Sequence, residues 1–152
     1  MQTIRNVSDL NLFFHRNQKP IYFISATNFN LMGIDRWVPK FRYINYINSF
    51  DGRHPNVFVP PKTEHEEFES IEDICNYLLQ HKAVIDYIER NGGDPAAVFL
   101  MFDSKTEELC KELNLDLWFP SAELRTRCDN KMETVRIGNA AGVPSVPNAL
   151  EK

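Results

Sequence analysis

Ala97-Val-Phe-Leu-Met-Phe102 is an unbroken apolar run, followed at once by Ser104-Lys-Thr-Glu107 and then by Leu115-Asp-Leu-Trp-Phe119. A run of this length with no polar interruption reads as a strand covered on both faces. Ser104 and Glu107 have the spacing of a capping box, and Leu109, Cys110 and Leu113 recur at helical intervals behind it. Asn114 closes that helix, and Pro120 stops the strand that follows. A strand, a helix and a strand joined by such short connections form a parallel unit, because the crossover helix must return the chain to the same end of the sheet. This unit decides the fold class.

Toward the amino terminus the same alternation continues. Ser70 is placed to cap a helix with Ile71, Ile74, Cys75, Leu78 and Leu79 at the 3.6-residue period, and Asp73 suits its amino-terminal dipole. The pattern resumes through Val84, Ile85 and Ile88 to Asn91-Gly92-Gly93, which fits one helix or two broken near His81. Val57-Phe-Val59 is a short strand ended by Pro60-Pro61, and residues 60–69 form a loop. Phe41-Arg-Tyr-Ile-Asn-Tyr-Ile-Asn48 is a mixed strand, Pro20-Ile-Tyr-Phe-Ile-Ser25 a central one, and a first short helix is capped at Ser8. Toward the carboxyl terminus, Ser121 caps a further short helix. The expected class is α/β, with an open, mostly parallel, Rossmann-like sheet flanked by helices.

The 152 residues carry 43% apolar and 12% aromatic side chains, enough for one core, with Lys+Arg 17 against Asp+Glu 21 and a net charge of -4. No basic stripe interleaved with aromatics tracks a phosphate backbone, so no nucleic-acid partner is expected. Apolar runs fall far short of the roughly 18 residues a membrane span needs, and Asp9 interrupts any signal-peptide layout. No membrane association is expected, and the predicted location is cytoplasmic. The three cysteines, Cys75, Cys110 and Cys128, are widely spaced and read as packed thiols.

In open parallel sheets ligands gather beyond the carboxyl ends of strands. The loop after the first strand, Ala26-Thr27-Asn28-Phe29-Asn30, therefore offers Thr27, Asn28 and Asn30 as substrate-binding candidates, although capping a turn is a sufficient role for Thr27 and Asn28. Neither G-x-G-x-x-G nor G-x-x-x-x-G-K-[ST] occurs, so a dinucleotide fold of the usual kind and a P-loop are set aside. His15, His54, His65 and His81 lack metal-ligand spacing, and G-x-S-x-G is missing. Glu64, Glu66, Glu67 and Glu69 read as a solvated acidic loop. No catalytic residue and no metal ligand is assigned.

The segment Cys128-Asp-Asn-Lys131-Met-Glu-Thr-Val-Arg-Ile-Gly-Asn-Ala-Ala141-Gly-Val-Pro-Ser-Val-Pro147 predicts a helix capped by Asp129 and stopped by Gly142. An aspartate-lysine start, a helix and then Ala-Gly-Val-Pro-x-Val-Pro resembles the opening of the ATP-grasp domain in biotin carboxylases and carboxylate-amine ligases. In that family the helix follows an α/β domain of about this size, which places a pre-ATP-grasp domain at 1–127 and the start of the ATP-grasp domain at 128–152. The resemblance implies that Lys131 reaches the nucleotide phosphates. It also implies that the intact protein uses ATP and Mg to activate a small carboxylate as an acyl phosphate.

The glycine-rich lid, the purine pocket and the acidic magnesium ligands of that family have no counterpart within these 152 residues. The chain alone is accordingly expected to be inactive and to bind no cofactor, its partner being the remainder of the ATP-grasp domain. Residues 132–147 would then present an apolar patch through which two copies can dimerise. The alternative is a stand-alone Rossmann-like or flavodoxin-like module that binds a ligand or a partner by itself.

Overall fold

A computed structural model describes residues 4–48, 54–62 and 67–143 of the chain. The chain divides into two compact units, Met1–Phe119 and Pro120–Lys152. The first unit is built on a five-stranded, wholly parallel sheet of β1 (Ile21–Ser25), β2 (Phe41–Asn45), β3 (Val57–Phe58), β4 (Ala96–Val98) and β5 (Asp116–Leu117), in the order β3-β2-β1-β4-β5. The expected α/β, Rossmann-like class is the class observed.

All five residues of β1 are buried, as a continuous apolar run demands, and the strand pairs on both sides. Ile21 through Ser25 lie opposite Phe41 through Asn45, and Ile21 through Phe23 lie opposite Ala96 through Val98. On one face Ile21, Phe23, Phe41 and Tyr43 pack with Phe14 from α1 (Val7–His15) and with Leu31, Ile34 and Val38. On the other face Tyr22 meets Tyr87 of α3 (Lys82–Asn91), which stacks on Phe58 with ring centroids 4.2 Å apart. Cys75 of α2 (Ile71–Gln80) sits against the same face, its Sγ 3.7 Å from the Ile24 carbonyl oxygen.

The link from β1 to β2 is made by two 3-10 turns, Phe29–Leu31 and Ile34–Arg36, instead of a crossover α-helix. Tyr43 pins the second of them. Its hydroxyl lies 2.8 Å from the Leu31 carbonyl and 2.9 Å from Asp35 Oδ1, while Asn56 Nδ2 donates to Asp35 Oδ2 at 2.9 Å. Burial, seconded by the Asp35 carboxylate, pushes the Tyr43 pKa up to about 12, so the phenol keeps its proton.

The helical stretch after Ser70 is two helices. His81 has extended ψ (121°), and its Nδ1 accepts the Ala83 N–H at 3.1 Å, capping α3. With Nδ1 accepting, the neutral ring carries its proton on Nε2, which donates to the Pro61 carbonyl at 3.2 Å. Ser70 caps α2 as expected. Gly93 sits at φ 82°, which L side chains rarely adopt, and an added Cβ would crowd the Pro20 ring at 3.2 Å.

Several boundaries differ from those expected, each for a local reason. Asn6, not Ser8, caps α1, since its extended backbone lets Oδ1 accept the Asp9 N–H at 2.9 Å. Asp103, not Ser104, caps α4 (Ser104–Glu112), and the box closes through Thr106 rather than Glu107. Strand pairing ends at Val98 and Asn45, short of Phe102 and Asn48. Phe99 and Phe102 stay fully buried beyond β4, their ring centroids 6.1 Å apart, so burial outlasts the ladder there. Asn114 does close α4, in the left-handed conformation at φ 53°.

In the second unit Ser121 caps α5 (Ala122–Asp129), and Asn130 caps α6 (Lys131–Ala140) by accepting the Met132 and Glu133 N–H groups at 3.0 and 3.2 Å. Asp129, the expected cap of α6, is instead the last residue of α5 and accepts from Arg125 at 2.9 Å. Gly142 follows the helix at φ 69°. Pro144 to Pro147 of the family-like motif, and Glu64, His65 and Glu66 of the acidic run, lie outside the described residues. No helix among the described residues is long and apolar enough to cross a membrane.

Asp103 joins α2 to α4. Burial would raise its pKa, but the Thr106 N–H and hydroxyl and the Asn76 amide outweigh that and hold it below the usual value. Asp103→Ala removes the cap and strands the Asn76 amide, so urea unfolding at pH 7 should show a loss of about 2–4 kcal/mol. A depressed folded pKa contributes stability above the unfolded value near 4 and loses it as pH falls through the folded one, so the gap to wild type should narrow below about pH 4. A gap constant from pH 7 to 3 contradicts this role.

Candidate functional site

The chain runs from β1 outward to β2 and β3, then returns to lay β4 on the opposite side of β1. Loops leaving the carboxyl ends of β1 and β4 thus depart in opposite directions, the arrangement that opens a crevice in sheets of this kind. The residues beyond these strand ends are the natural place to seek a site.

Ser25 ends β1 and faces Asn45 at the end of β2. Just past the end of the ladder, Ile47 N–H donates to the Ala26 carbonyl at 2.9 Å. Asn45 is 1% exposed, and its Nδ2 donates to the Ser25 and Ile44 carbonyls at 3.3 and 3.2 Å. Its Oδ1 has no hydrogen-bond partner among the described residues.

Of the three loop candidates, Asn28 is buried at 1% exposure, Thr27 is half-buried and Asn30 is exposed. The backbone of Asn28 takes part in a turn, its carbonyl accepting the Leu31 N–H at 3.2 Å. Its side chain does not cap that turn, and neither Nδ2 nor Oδ1 finds a partner among the described residues. Capping therefore does not account for Asn28. A buried amide left unpaired costs about 1–3 kcal/mol, and such groups are ordinarily satisfied by protein, ordered water or ligand.

Asn76 shows the opposite case close to the same edge. It is 3% exposed, yet its Nδ2 lies 3.2 and 3.3 Å from the two Asp103 oxygens, and its Oδ1 accepts the Thr106 hydroxyl at 2.7 Å. Beside it Cys75 Sγ lies 3.7 Å from the Ile24 carbonyl and 3.5 Å from that of Met101, bridging β1 and the segment that follows β4. Burial pushes the Cys75 and Cys110 thiols up to about 12, so both stay protonated and serve packing rather than nucleophilic chemistry. Cys128 is exposed.

What is left without a partner at this edge, among the described residues, is neutral and polar: two N–H donors and one acceptor on Asn28, and an acceptor on Asn45. Asn45 lies within the expected strand 41–48, and only the register of β2 on β1 places it opposite Ser25. Tyr22, on the other face, also buries a hydroxyl that meets no hydrogen-bond partner among the described residues. Burial raises its pKa, against the opposing influence of Arg42 and Asn91. Among the described residues no three His, Cys, Asp or Glu side chains converge to hold a metal ion. Lys131 is exposed at the first position of α6, in the second unit.

Asn28→Ala should leave the thermal midpoint of the unliganded chain unchanged or raised, whereas Asn76→Ala should cost about 2 kcal/mol by stripping Asp103 and Thr106 of a partner. Equal losses at both positions would mean that the Asn28 amide is paired within the folded chain. Compared with known proteins, the chain matches no family model, no curated protein and no solved structure.

Proposed function

We propose that the first unit binds a small carboxylate-bearing molecule at the carboxyl ends of β1 and β2. The observation that carries this reading is the Asn28 amide, buried and unpaired at a place where parallel sheets receive ligands. A carboxylate would accept from Asn28 Nδ2, and an amine or hydroxyl on the same molecule would donate to Asn28 Oδ1. Thr27 and Asn30 flank that position in sequence. Thermal melts of the chain with the amino acids and small hydroxy- and dicarboxylic acids should find at least one that raises the midpoint. At a concentration 100-fold above Kd the gain is about 2.7 kcal/mol. Asn28→Ala should abolish it, and a panel with no stabilising member overturns the proposal.

A more specific reading makes this chain the leading part of an ATP-grasp ligase that activates the carboxylate as an acyl phosphate. It is supported by the order of the parts: a five-stranded parallel unit, then a second compact unit whose α6 begins at Lys131. A flexible ammonium on an exposed helix start suits a phosphate, although Asn130 already occupies two of the amides there. Magnesium and the purine would be held by the remainder of the ATP-grasp domain. Exposed Leu124, Ile137 and Val143 in the second unit support a surface that such a domain, or a second copy, covers.

The 152-residue chain should turn over no ATP, whereas a protein continuing through that domain should hydrolyse ATP only with its acid present. Lys131→Ala in that longer protein should weaken ATP use about 10- to 100-fold, the worth of one charged hydrogen bond. A natural reading frame that stops at residue 152 overturns the ligase reading and leaves the stand-alone binding module.

A further inference from the structure

We infer that the first unit holds a second binding site, for a single aromatic ring or branched alkyl group on an uncharged small molecule. The site is a cavity of about 180 Å³ between α1, the two 3-10 turns and the sheet face of β1 and β4. Its walls include Phe14, Leu31, Ile34, Trp37, Val98 and Trp118, and its lining is wholly apolar. It is independent of the Asn28 amide, and neither proposal needs the other.

The cavity has a cause in the fold. Two three-residue 3-10 turns replace the α-helix that would ordinarily fill this face between β1 and β2, so side chains from α1 and from the turns roof the sheet without closing over it. Phe14, Leu31, Ile34 and Val98 remain half-buried although they pack on the core, and Trp37 and Trp118 are 43% and 39% exposed. The cavity therefore has a mouth, framed by indole rings.

That mouth is held in shape. Trp118 Nε1 donates to Asp116 Oδ2 at 2.9 Å, and Lys19 Nζ, 2.8 Å from the same carboxylate oxygen, lies 5.9 Å from the indole centroid. Trp37 meets Phe14 edge to face at 5.9 Å, with an interplanar angle of 84°. Fixed walls keep the space from collapsing, which is the condition for an apolar cavity to take a guest. An engineered cavity of about 150 Å³ lined by aliphatic and aromatic groups takes benzene, which sets the size of guest. The inserted part is uncharged, since the lining offers no hydrogen-bonding or ion-pairing group and the Trp118 ring already faces the Lys19 ammonium.

The test is a titration of the full 152-residue chain with benzyl alcohol, followed by methyl NMR, with glycerol as the polar control. Saturable shifts confined to Ile21, Leu31, Ile34, Val38 and Val98 are expected, and no saturable response to glycerol. Val98→Phe, which fills the space, should weaken binding at least about tenfold, or roughly 1.4 kcal/mol, while the thermal midpoint is held or raised. Leu31→Phe fills the same volume from the opposite wall and serves if Val98→Phe does not fold. No saturable shift, shifts spread through the molecule, or unchanged affinity in the filled variant overturns the proposal. Concentration-dependent shifts of these methyls without any probe overturn it too, since a second copy is then the occupant.

Discussion

The pairing of β1 on both edges is the constraint on which the first unit depends. Five consecutive buried residues have no face for water, so Ile21–Ser25 must lie between two strands and two covering layers. Everything else is arranged around that requirement. The two 3-10 turns and α1 cover one face, and α2 and α3 cover the other. Lys19, two residues before the strand, ties its amino end to Asp94, just ahead of β4, and to Asp116, the first residue of β5, at 2.9 and 2.8 Å. These ion pairs are partly exposed and individually weak, so the ladder and the buried side chains hold the sheet.

The same constraint shapes both candidate sites. Because β1 is central and the chain reverses across it, the carboxyl ends of β1 and β2 carry the polar residues that leave the apolar core last: Ser25, Asn28 and Asn45. Two similar amides at this edge have opposite fates. Asn76 is bonded by Asp103 and Thr106 and locks α2 to α4, whereas Asn28 is buried with no side-chain partner among the described residues. That contrast separates an amide that organises the fold from one available to a ligand. The apolar cavity arises at the other side of the 3-10 turns, where short turns do the work of a longer helix.

Much of the fold was legible because its signals are local. Apolar runs marked β1 and β4, the helical period marked α2 and α4, and Ser70 and Ser121 acted as caps where expected. The differences from the sequence pattern are local too, and concern helix caps and strand ends. At Asn6, Asp103 and Asn130 several cap-competent residues stand side by side, and the backbone conformation of each decides which one accepts. The apolar run outlasts β4 because Phe99 and Phe102 are buried by packing after the ladder has stopped, and apolar sequence does not distinguish the two.

By itself the sequence determined the α/β class, the central place of residues 21–25, the breaks at Asn91-Gly92-Gly93 and Asn114, and the loop in which polar candidates stand. Those follow from hydrophobic periodicity and from conformational preferences that act within a few residues. Only the tertiary structure decided that Asn28 is buried and unpaired, that Asn45 faces Ser25, that His81 splits one helical pattern into two helices, and that a cavity opens beneath Trp37 and Trp118. Whether a buried amide is satisfied, and whether apolar walls meet, depends on partners brought from distant parts of the chain, and no local pattern encodes their arrival.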